Sequence, residues 1–327
     1  MSEEKSGTNP LDTLCQDEYS PRDRYEDAPT ILTKCSEFIH GKALFGSYPS
    51  QEDVEALEEL GVRVFINLTD PEKEQLPEYK TEHTYIKYVI TDHGVPEDNR
   101  NYAKFIVHIC DVLRDLAMEE RIYLHCKGGH GRSGLVVASI IAYYYQKHPN
   151  EAISHTCYYH SQRPNIREKW KLLGSPHNKI QKTFVGRFFR QLKYGKDSQS
   201  KFTLCLDNSS PHEVVIPDVG TFKNAYFAFQ YFKAPNNEKY VQELLKGSYR
   251  KELLVYTSKK VWQQNKRYYM YVVLKHKFTQ HPELRENLLN TGLRYFRKIS
   301  TNNYWGGKGN VHGKLLGLLR EEFLREL

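Results

Sequence analysis

The stretch "RIYLHCKGGHGRSGLVVASII", residues 121–141, decides how this chain folds around its most reactive side chain. Its first five residues, RIYLH, have the apolar character of a buried strand, and the run that begins at Gly134 predicts a buried helix. A glycine-rich loop between them carries Cys126 at its start and Arg132 at its end. The loop therefore joins the carboxyl end of a strand to the amino end of a helix, where α/β folds bind ligands.

Three kinds of site fit a loop of this composition: a dinucleotide-binding turn, a metal site, and a thiol that attacks phosphate. Gly129, Gly131 and Gly134 satisfy the spacing G-x-G-x-x-G. The dinucleotide fold also needs a second strand that ends in an acidic residue about 20 residues later. The stretch found there, YYYQKHPNEAISHTCYYH, is typical of helix or irregular structure, which disfavours a dinucleotide site.

Two groups of histidine and cysteine raise the question of a metal. The first contains His125, Cys126 and His130, and the second contains His155, Cys157 and His160. Lys127 and Arg132 would repel a cation at the first group, and neither group has the spacing of a zinc site. The second group is interpreted as ordinary side chains on a helix.

A thiol nucleophile accounts for all the loop residues together. Successive backbone N–H groups between Lys127 and Arg132, followed by a helix N-terminus, form a nest for a tetrahedral anion. Arg132 supplies a bidentate fork for two phosphoryl oxygens, and the positive surroundings favour the thiolate of Cys126. Ser133 is expected to donate a hydrogen bond to that sulfur. The predicted phosphate-binding residues are Lys127, Gly128, Gly129, His130, Gly131 and Ser133.

The loop sequence HCKGGHGRSG resembles the H-C-x5-R-[ST] signature of cysteine-dependent protein tyrosine and dual-specificity phosphatases. This resemblance implies that Cys126 forms a phosphocysteine and that Arg132 binds the phosphoryl group. In the upstream segment VITDHGVPED, Asp92 matches the general acid of the family's D-x-x-x-P loop, with Asp98 as the second candidate. The family uses neither a metal nor an organic cofactor, so none is expected.

The substrate stays open among three classes: phosphorylated protein, phosphoinositide and RNA 5′-phosphate. Lys127 and His130 stand where phosphoinositide phosphatases of this family carry basic residues. Two cationic side chains at the rim would favour polyphosphorylated substrates, or would only raise the local potential.

Strand and helix patterns alternate around the loop and predict an α/β fold with a largely parallel sheet flanked by helices. Ser50 is a predicted helix N-cap, followed by the strand VRVFINL, a second strand at 84–90, and the amphipathic helix NYAKFIVHICDVLRDLA. The predicted organisation is a flexible arm at 1–30, a phosphatase domain at 31–195, a linker at 196–202 and a mainly α-helical domain at 203–327.

Charge divides the 327 residues in a similar way. The first 200 residues carry a balance of −3, whereas residues 201–327 carry +10, which suggests a polyanionic partner for the second half or only a solubilising surface. The six cysteines show no pairing rhythm, and no signal peptide or membrane-spanning run is recognised. We therefore expect a cytoplasmic or nuclear protein.

The region 203–327 resembles the NADAR family of N-glycosidases, which act on ADP-ribose-linked and riboflavin-pathway substrates. The motifs that carry this resemblance are DNSSPHEV, the spacing of Trp262 and Met270, LKHKFTQHPELRENLLNTG and YWGGKGN. The ligand-binding residues that it implies are Lys233, Trp262, Trp305, Asn310, Tyr226 and Asn302.

Two of those residues depart from the family pattern. Tyr226 and Asn302 replace a glutamate and an aspartate, and glycosidic cleavage usually relies on carboxylates. The expected role is therefore binding of an ADP-ribosylated nucleotide or nucleic acid without cleavage. The alternatives are an active N-glycosidase that removes ADP-ribose from guanine, and a non-catalytic protein that only binds phosphorylated ligands.

Overall fold

The computed structural model of the protein describes residues 30–327. The predicted arm lies outside the described residues except for Thr30, which begins the first helix. Within the described part the fold is α/β, with one five-stranded, largely parallel sheet and many helices. The predicted fold class is confirmed at that level.

The elements up to residue 194 follow the predicted alternation. In chain order they are α1 Thr30–Lys34, β1 Cys35–Ile39, β2 Ala43–Gly46, α2 Gln51–Glu59, β3 Val62–Asn67, α3 Pro71–Glu74, β4 Thr84–Lys87, α4 Asn99–Asp115, β5 Arg121–His125, α5 Arg132–Tyr144, α6 Pro149–Ser161, α7 Glu168–Leu173, α8 Lys179–Phe188 and β6 Leu192–Tyr194.

The remaining elements are mostly helical, as predicted for this half. They are α9 Lys201–Leu204, β7 Val214–Ile216, β8 Gly220–Phe222, α10 Ala225–Tyr231, α11 Glu238–Leu245, a 3-10 turn Lys251–Leu253, α12 Lys259–Gln280, α13 Pro282–Leu289, β9 Phe296–Lys298 and α14 Val311–Arg325.

Packing divides the chain into two compact units. Among the described residues, the first unit comprises 30–89 together with Leu116–Gly134 and Ser154–His177. The second comprises Ile90–Asp115, Leu135–Ile153 and Asn178–Leu327. Each unit draws on several segments, so the predicted domain boundary between residues 195 and 203 stays a prediction.

The sheet of the first unit has the strand order β1-β2-β5-β3-β4, with only the β1–β2 pair antiparallel. The central strand β5 lies between β2 and β3, and its last residue His125 is opposite Gly46 on one side and Asn67 on the other. This register places Cys126, the next residue, at the carboxyl end of the middle strand.

Helix α2 covers part of this sheet and begins at its predicted cap. The Ser50 Oγ accepts a hydrogen bond from the Asp53 N–H, and the Asp53 carboxylate accepts one from the Ser50 N–H, which together form a capping box. Val54 and Leu57 are buried in one cluster with Phe65 of β3. The cap and the apolar stripe therefore fix where the helix starts and which side faces the sheet.

The second unit is built around the long helix α12. Trp262, Met270, Leu274 and Phe278 of this helix are all buried. A short parallel pair joins β6 to β9, and β7 pairs with β8 in an antiparallel hairpin.

Segments from both halves of the sequence meet inside this second unit. Asp111 of α4 forms an ion pair with Arg325 of α14 at 2.8 Å, and Arg100 pairs with Glu286 at 2.5 Å. The Tyr295 hydroxyl donates a hydrogen bond of 2.9 Å to the Ala142 carbonyl. Helix α4 and the latter part of α5 therefore pack with residues beyond the predicted linker.

Across residues 30–327, no helix combines the length and the apolar character that crossing a membrane requires.

Candidate active site

The loop after β5 has the predicted strand–loop–helix form. Cys126 directly follows the strand and is only 3% exposed, and Arg132 begins helix α5. The Tyr48 N–H donates to the Lys127 carbonyl at 3.1 Å, and the Leu68 N–H donates to the His125 carbonyl at 3.0 Å. Backbone hydrogen bonds thus connect the residues on either side of Cys126 to neighbouring segments.

The predicted phosphate-binding residues differ in exposure. Lys127 and Gly128 are exposed, His130 is half-buried, and Gly129, Gly131 and Ser133 are buried.

Gly129 is the point of closest backbone approach in the loop. Its φ is +70°, a left-handed conformation, and a Cβ at this position would lie 2.4 Å from the carbonyl carbon of Gly46. Both the torsion and the contact require glycine. The carboxyl end of β2 therefore supports the loop from behind.

Arg132 is buried and is held by a carboxylate. Its Nη1 and Nη2 donate to the two Glu74 oxygens at 2.5 and 2.9 Å, and its side chain is 1% exposed. This bidentate pair offsets the cost of burying the guanidinium and fixes the orientation of its plane. Glu74 was not recognised from sequence, because the short helix α3 that carries it has no motif.

Ser133 does not make the expected contact. Its hydroxyl is fully buried and has no hydrogen-bond partner within the described chain, so the predicted bond to the Cys126 sulfur is absent. A buried hydroxyl without a partner is costly, and it is available to a group that enters the loop.

His125, the residue before the cysteine, is neutral. Its Nε2 shares a hydrogen bond of 2.7 Å with the Tyr79 hydroxyl, and the Tyr48 ring packs edge-on at 5.1 Å. Burial, followed by the charge of Arg132, lowers the pKa of His125 to about 3.

The charge of His130 differs from the one expected from the sequence. Its Nδ1 shares a hydrogen bond of 2.7 Å with His160 Nε2, and its ring stacks on Trp170 with centroids 4.2 Å apart. Burial and then the Arg163 charge lower the pKa of His130 to about 3. The side chain is thus neutral and packed inward, so the prediction of a cationic rim side chain is wrong for His130.

His160, interpreted from the sequence as an ordinary side chain on a helix, lies on helix α6. It is fully buried, and burial lowers its pKa to about 2. Together with Trp170 and Arg163, which donates to the Phe45 carbonyl at 3.1 Å, it forms the packed surroundings of the loop in the first unit.

The predicted acid loop belongs to the second unit. Asp92 is exposed, and its Oδ1 accepts a hydrogen bond of 3.1 Å from the His93 N–H. Asn178 donates to the His93 carbonyl at 3.1 Å, and Gln181 donates to the Gly94 carbonyl at 3.0 Å. The beginning of helix α8 therefore anchors the loop that carries Asp92, whose Oδ2 lies 3.6 Å from His93 Nε2.

Asp98, the second candidate for the general acid, caps a helix. Its Oδ1 accepts hydrogen bonds from the N–H groups of Arg100 at 2.7 Å and Asn101 at 3.2 Å. This is the contact pattern of a helix N-cap at the start of α4. The two carboxylates can therefore be separated by experiment.

In the C-terminal half, an aromatic cluster brings three predicted ligand residues together. The Phe229 ring lies 4.9 Å from Trp262 and 5.2 Å from Trp305, measured between centroids. The Lys233 ammonium lies 5.6 Å from the centroids of both Trp262 and Tyr249. Burial lowers the pKa of Lys233, and Tyr226 packs against Tyr249 at 6.0 Å.

The two asparagines that were predicted to bind ligand, Asn302 and Asn310, form hydrogen bonds with the backbone instead. The Asn302 Oδ1 accepts hydrogen bonds from the N–H groups of Tyr304 and Trp305 at 3.0 and 3.2 Å. The Asn310 amide donates to the Phe296 carbonyl at 2.7 Å and accepts from the Lys298 N–H at 3.0 Å. They fix the aromatic-glycine loop at its two ends.

The fold and the loop together define the class of tyrosine and dual-specificity phosphatases. Residues 41–146 match the family described as "Polymorphic toxin system, DSP-PTPase phosphatase". The chain is 38% identical over 160 residues to "Putative tyrosine phosphatase 067L" of Invertebrate iridescent virus 3, an alignment that spans 48% of this chain and 66% of that protein.

A second relative extends further along the chain. "Putative tyrosine phosphatase 197R" of Invertebrate iridescent virus 6 is 31% identical over 258 residues, which cover 77% of this chain and 80% of that protein. The chain therefore belongs to the tyrosine phosphatase family that includes 197R. Because residues 1–195 make up about three-fifths of the chain, this alignment also reaches into the C-terminal half.

Among solved structures, the NMR structure of the E. coli protein YbiA aligns at 27% identity, covers 42% of this chain and 86% of that chain, and has a TM-score of 0.36.

The glycine pair in the loop gives a direct test of its geometry. Gly129→Ala should lower the free energy of unfolding by about 2 kcal/mol or more, because it combines a left-handed torsion with a backbone clash. Gly128→Ala is the matched control: its Cβ would meet only the His130 ring, at 3.1 Å. Thermal unfolding of both variants measures the difference, and equal losses would contradict the proposed support by Gly46.

Proposed function

We propose that the chain hydrolyses phosphomonoesters through a phosphocysteine at Cys126. The observation that carries this proposal is the buried loop with Cys126 at one end and, at the other, an Arg132 guanidinium already oriented by Glu74. Membership of the tyrosine phosphatase family supports the reaction class.

The proposed reaction has two steps. The Cys126 thiolate attacks phosphorus, the P–O bond to the leaving group breaks, and Asp92 protonates the departing oxygen. Asp92 then accepts a proton from water, whose oxygen attacks phosphorus and releases the Cys126 thiolate and inorganic phosphate. Arg132 and the backbone N–H groups of the loop stabilise the charge on the phosphoryl oxygens, and the free Ser133 hydroxyl is available to the sulfur in the second step.

For the substrate we favour a phosphorylated protein. His130, one of the two predicted rim cations, is neutral and packed against His160 and Trp170, which weakens the case for a polyphosphorylated lipid headgroup. A panel of phosphopeptides, phosphoinositides and RNA 5′-phosphates, each with a Cys126→Ser blank, separates the three classes by turnover.

The role of Cys126 as nucleophile is tested by Cys126→Ser. This variant should lose turnover, because a hydroxyl ionises far less readily than a thiol. It should still bind phosphate, because the backbone amides of the loop remain. Cys205→Ser is the control, since that thiol belongs to the second unit and donates to the Phe202 carbonyl. Phosphate release and orthovanadate binding are measured in the presence of EDTA. Substantial turnover by Cys126→Ser would overturn the mechanism.

The role of Asp92 as general acid is tested by comparing the hydrolysis rates of substrates whose leaving groups differ in acidity. Asp92→Asn should slow hydrolysis of alkyl or peptide phosphates by about 100-fold or more, and should slow aryl esters with acidic phenols much less, since these need little protonation. Asp98→Asn keeps an Oδ1 that can accept the same two N–H groups, so it should preserve the helix cap and leave the ratio between the two substrates unchanged. The opposite pattern would move the acid role to Asp98.

For the C-terminal half we propose a NADAR-like module that binds an ADP-ribosylated nucleotide without cleaving it. The tryptophans and the Lys233 ammonium in the aromatic cluster suit a base and a phosphate respectively. Tyr226 and Asn302 lack carboxylates, and the Asn302 oxygen is already engaged by backbone.

This second proposal is tested on the full chain with ADP-ribose by calorimetry. Trp305→Ala should weaken binding by roughly 1–3 kcal/mol if the indole stacks on a base. Tyr268 is an exposed aromatic on α12, so Tyr268→Ala should leave the affinity for ADP-ribose unchanged. Release of free base from an ADP-ribosylated guanine nucleotide would instead establish the N-glycosidase alternative.

A further inference from the structure

A surface cleft of 660 Å³ lies in the second unit, apart from the aromatic cluster. It is lined by Arg187, Arg190, Gln191, Leu192, Lys193 and Arg294. Four of these six side chains are cations, and none is acidic or aromatic. None of the residues assigned to the phosphatase loop or to the nucleotide module lies in it.

The pairing of two short strands creates this concentration of charge. Strand β6 runs parallel to β9 with Leu192 opposite Phe296, and the Leu192 N–H donates to the Tyr295 carbonyl at 2.8 Å. This register brings Arg294 beside the segment 187–193. The Arg320 guanidinium, buried and donating to the Arg294 carbonyl at 2.9 Å, anchors the backbone underneath.

Within residues 30–327, none of the four cations has an ion-pair partner. The Arg187 charge lies in the last turn of α8, where it interacts favourably with the helix dipole. That interaction does not account for Arg190, Lys193 or Arg294. Gathering uncompensated like charges around one cleft is unfavourable until an anion neutralises them.

We propose that this cleft binds the phosphodiester backbone of a single-stranded nucleic acid, independently of base sequence. Three guanidiniums supply forks that match phosphate oxygens, and the absence of a lining aromatic removes the means of stacking a base. Arg187, Arg190 and Lys193 are exposed, and a lining with four cations differs from the few polar groups of the mostly apolar pockets that hold small molecules. A cleft of 660 Å³ is too small to take in a duplex, so a single strand is the form that can enter it.

The experiment uses the full chain and a labelled twelve-nucleotide uridine RNA that carries no terminal phosphate. Without a monoester the RNA offers the phosphatase loop no substrate, so the outcome does not depend on the proposed phosphatase or NADAR functions. Fluorescence anisotropy is recorded between 50 and 200 mM NaCl. Four phosphate contacts predict a slope of log affinity against log salt near −2.8, or a roughly 50-fold loss across that range.

Arg187→Gln/Arg190→Gln should halve that slope to about −1.4. Lys193→Gln/Arg294→Gln should have the same effect and provides a second measurement if the first variant folds poorly. Lys239→Gln/Lys260→Gln removes the same charge from exposed positions of the same unit and should leave the slope unchanged. Circular dichroism verifies the fold of each variant.

Three results would overturn the proposal. Equal losses in the cleft and control variants would mean that overall charge alone binds the RNA. Tighter binding of a duplex of equal length would exclude a single-strand cleft. Tripolyphosphate binding at the cleft without RNA binding would assign it to a free oligophosphate.

Discussion

The buried ion pair between Arg132 and Glu74 is the contact on which the candidate active site depends. A guanidinium at 1% exposure requires a partner, and Glu74 provides one with both oxygens. To place that carboxylate, the chain after β3 must turn through the short helix α3 towards the start of α5. The loop between Cys126 and Arg132 is then closed on its other side by Gly46. Phosphate chemistry at this loop would thus rely on three separate segments of the first unit.

The sequence predicted the local features well. The strand RIYLH and the Ser50 cap were confirmed because each depends on residues a few positions apart. Contacts between distant segments were missed: Glu74 had no motif, and nothing in the sequence placed His160 against His130. His130 was expected to be charged, yet its state is set by Trp170 and Arg163, whose proximity no local pattern reveals.

The C-terminal half shows the same division between local and distant information. Its tryptophans were correctly placed on a helix and on a glycine loop, and the fold adds Phe229 as the ring that both contact. Asn310, selected by resemblance, uses its whole amide on the β9 backbone. A polar residue that marks a family can therefore act by shaping a loop, and only its hydrogen bonds distinguish that role from ligand contact.

The ion pairs of helix α4 with α13 and α14 have a consequence for how such chains can be rearranged. Arg100 and Asp111 sit in the phosphatase part of the sequence, yet they pair with Glu286 and Arg325 near the C-terminus. A gene break in the linker would separate the partners of both ion pairs. Exchange of either half for a foreign one would meet the same mismatch. Recombination is therefore expected to keep the two halves together, and an engineered chimera would need to carry α4 along with its C-terminal partners.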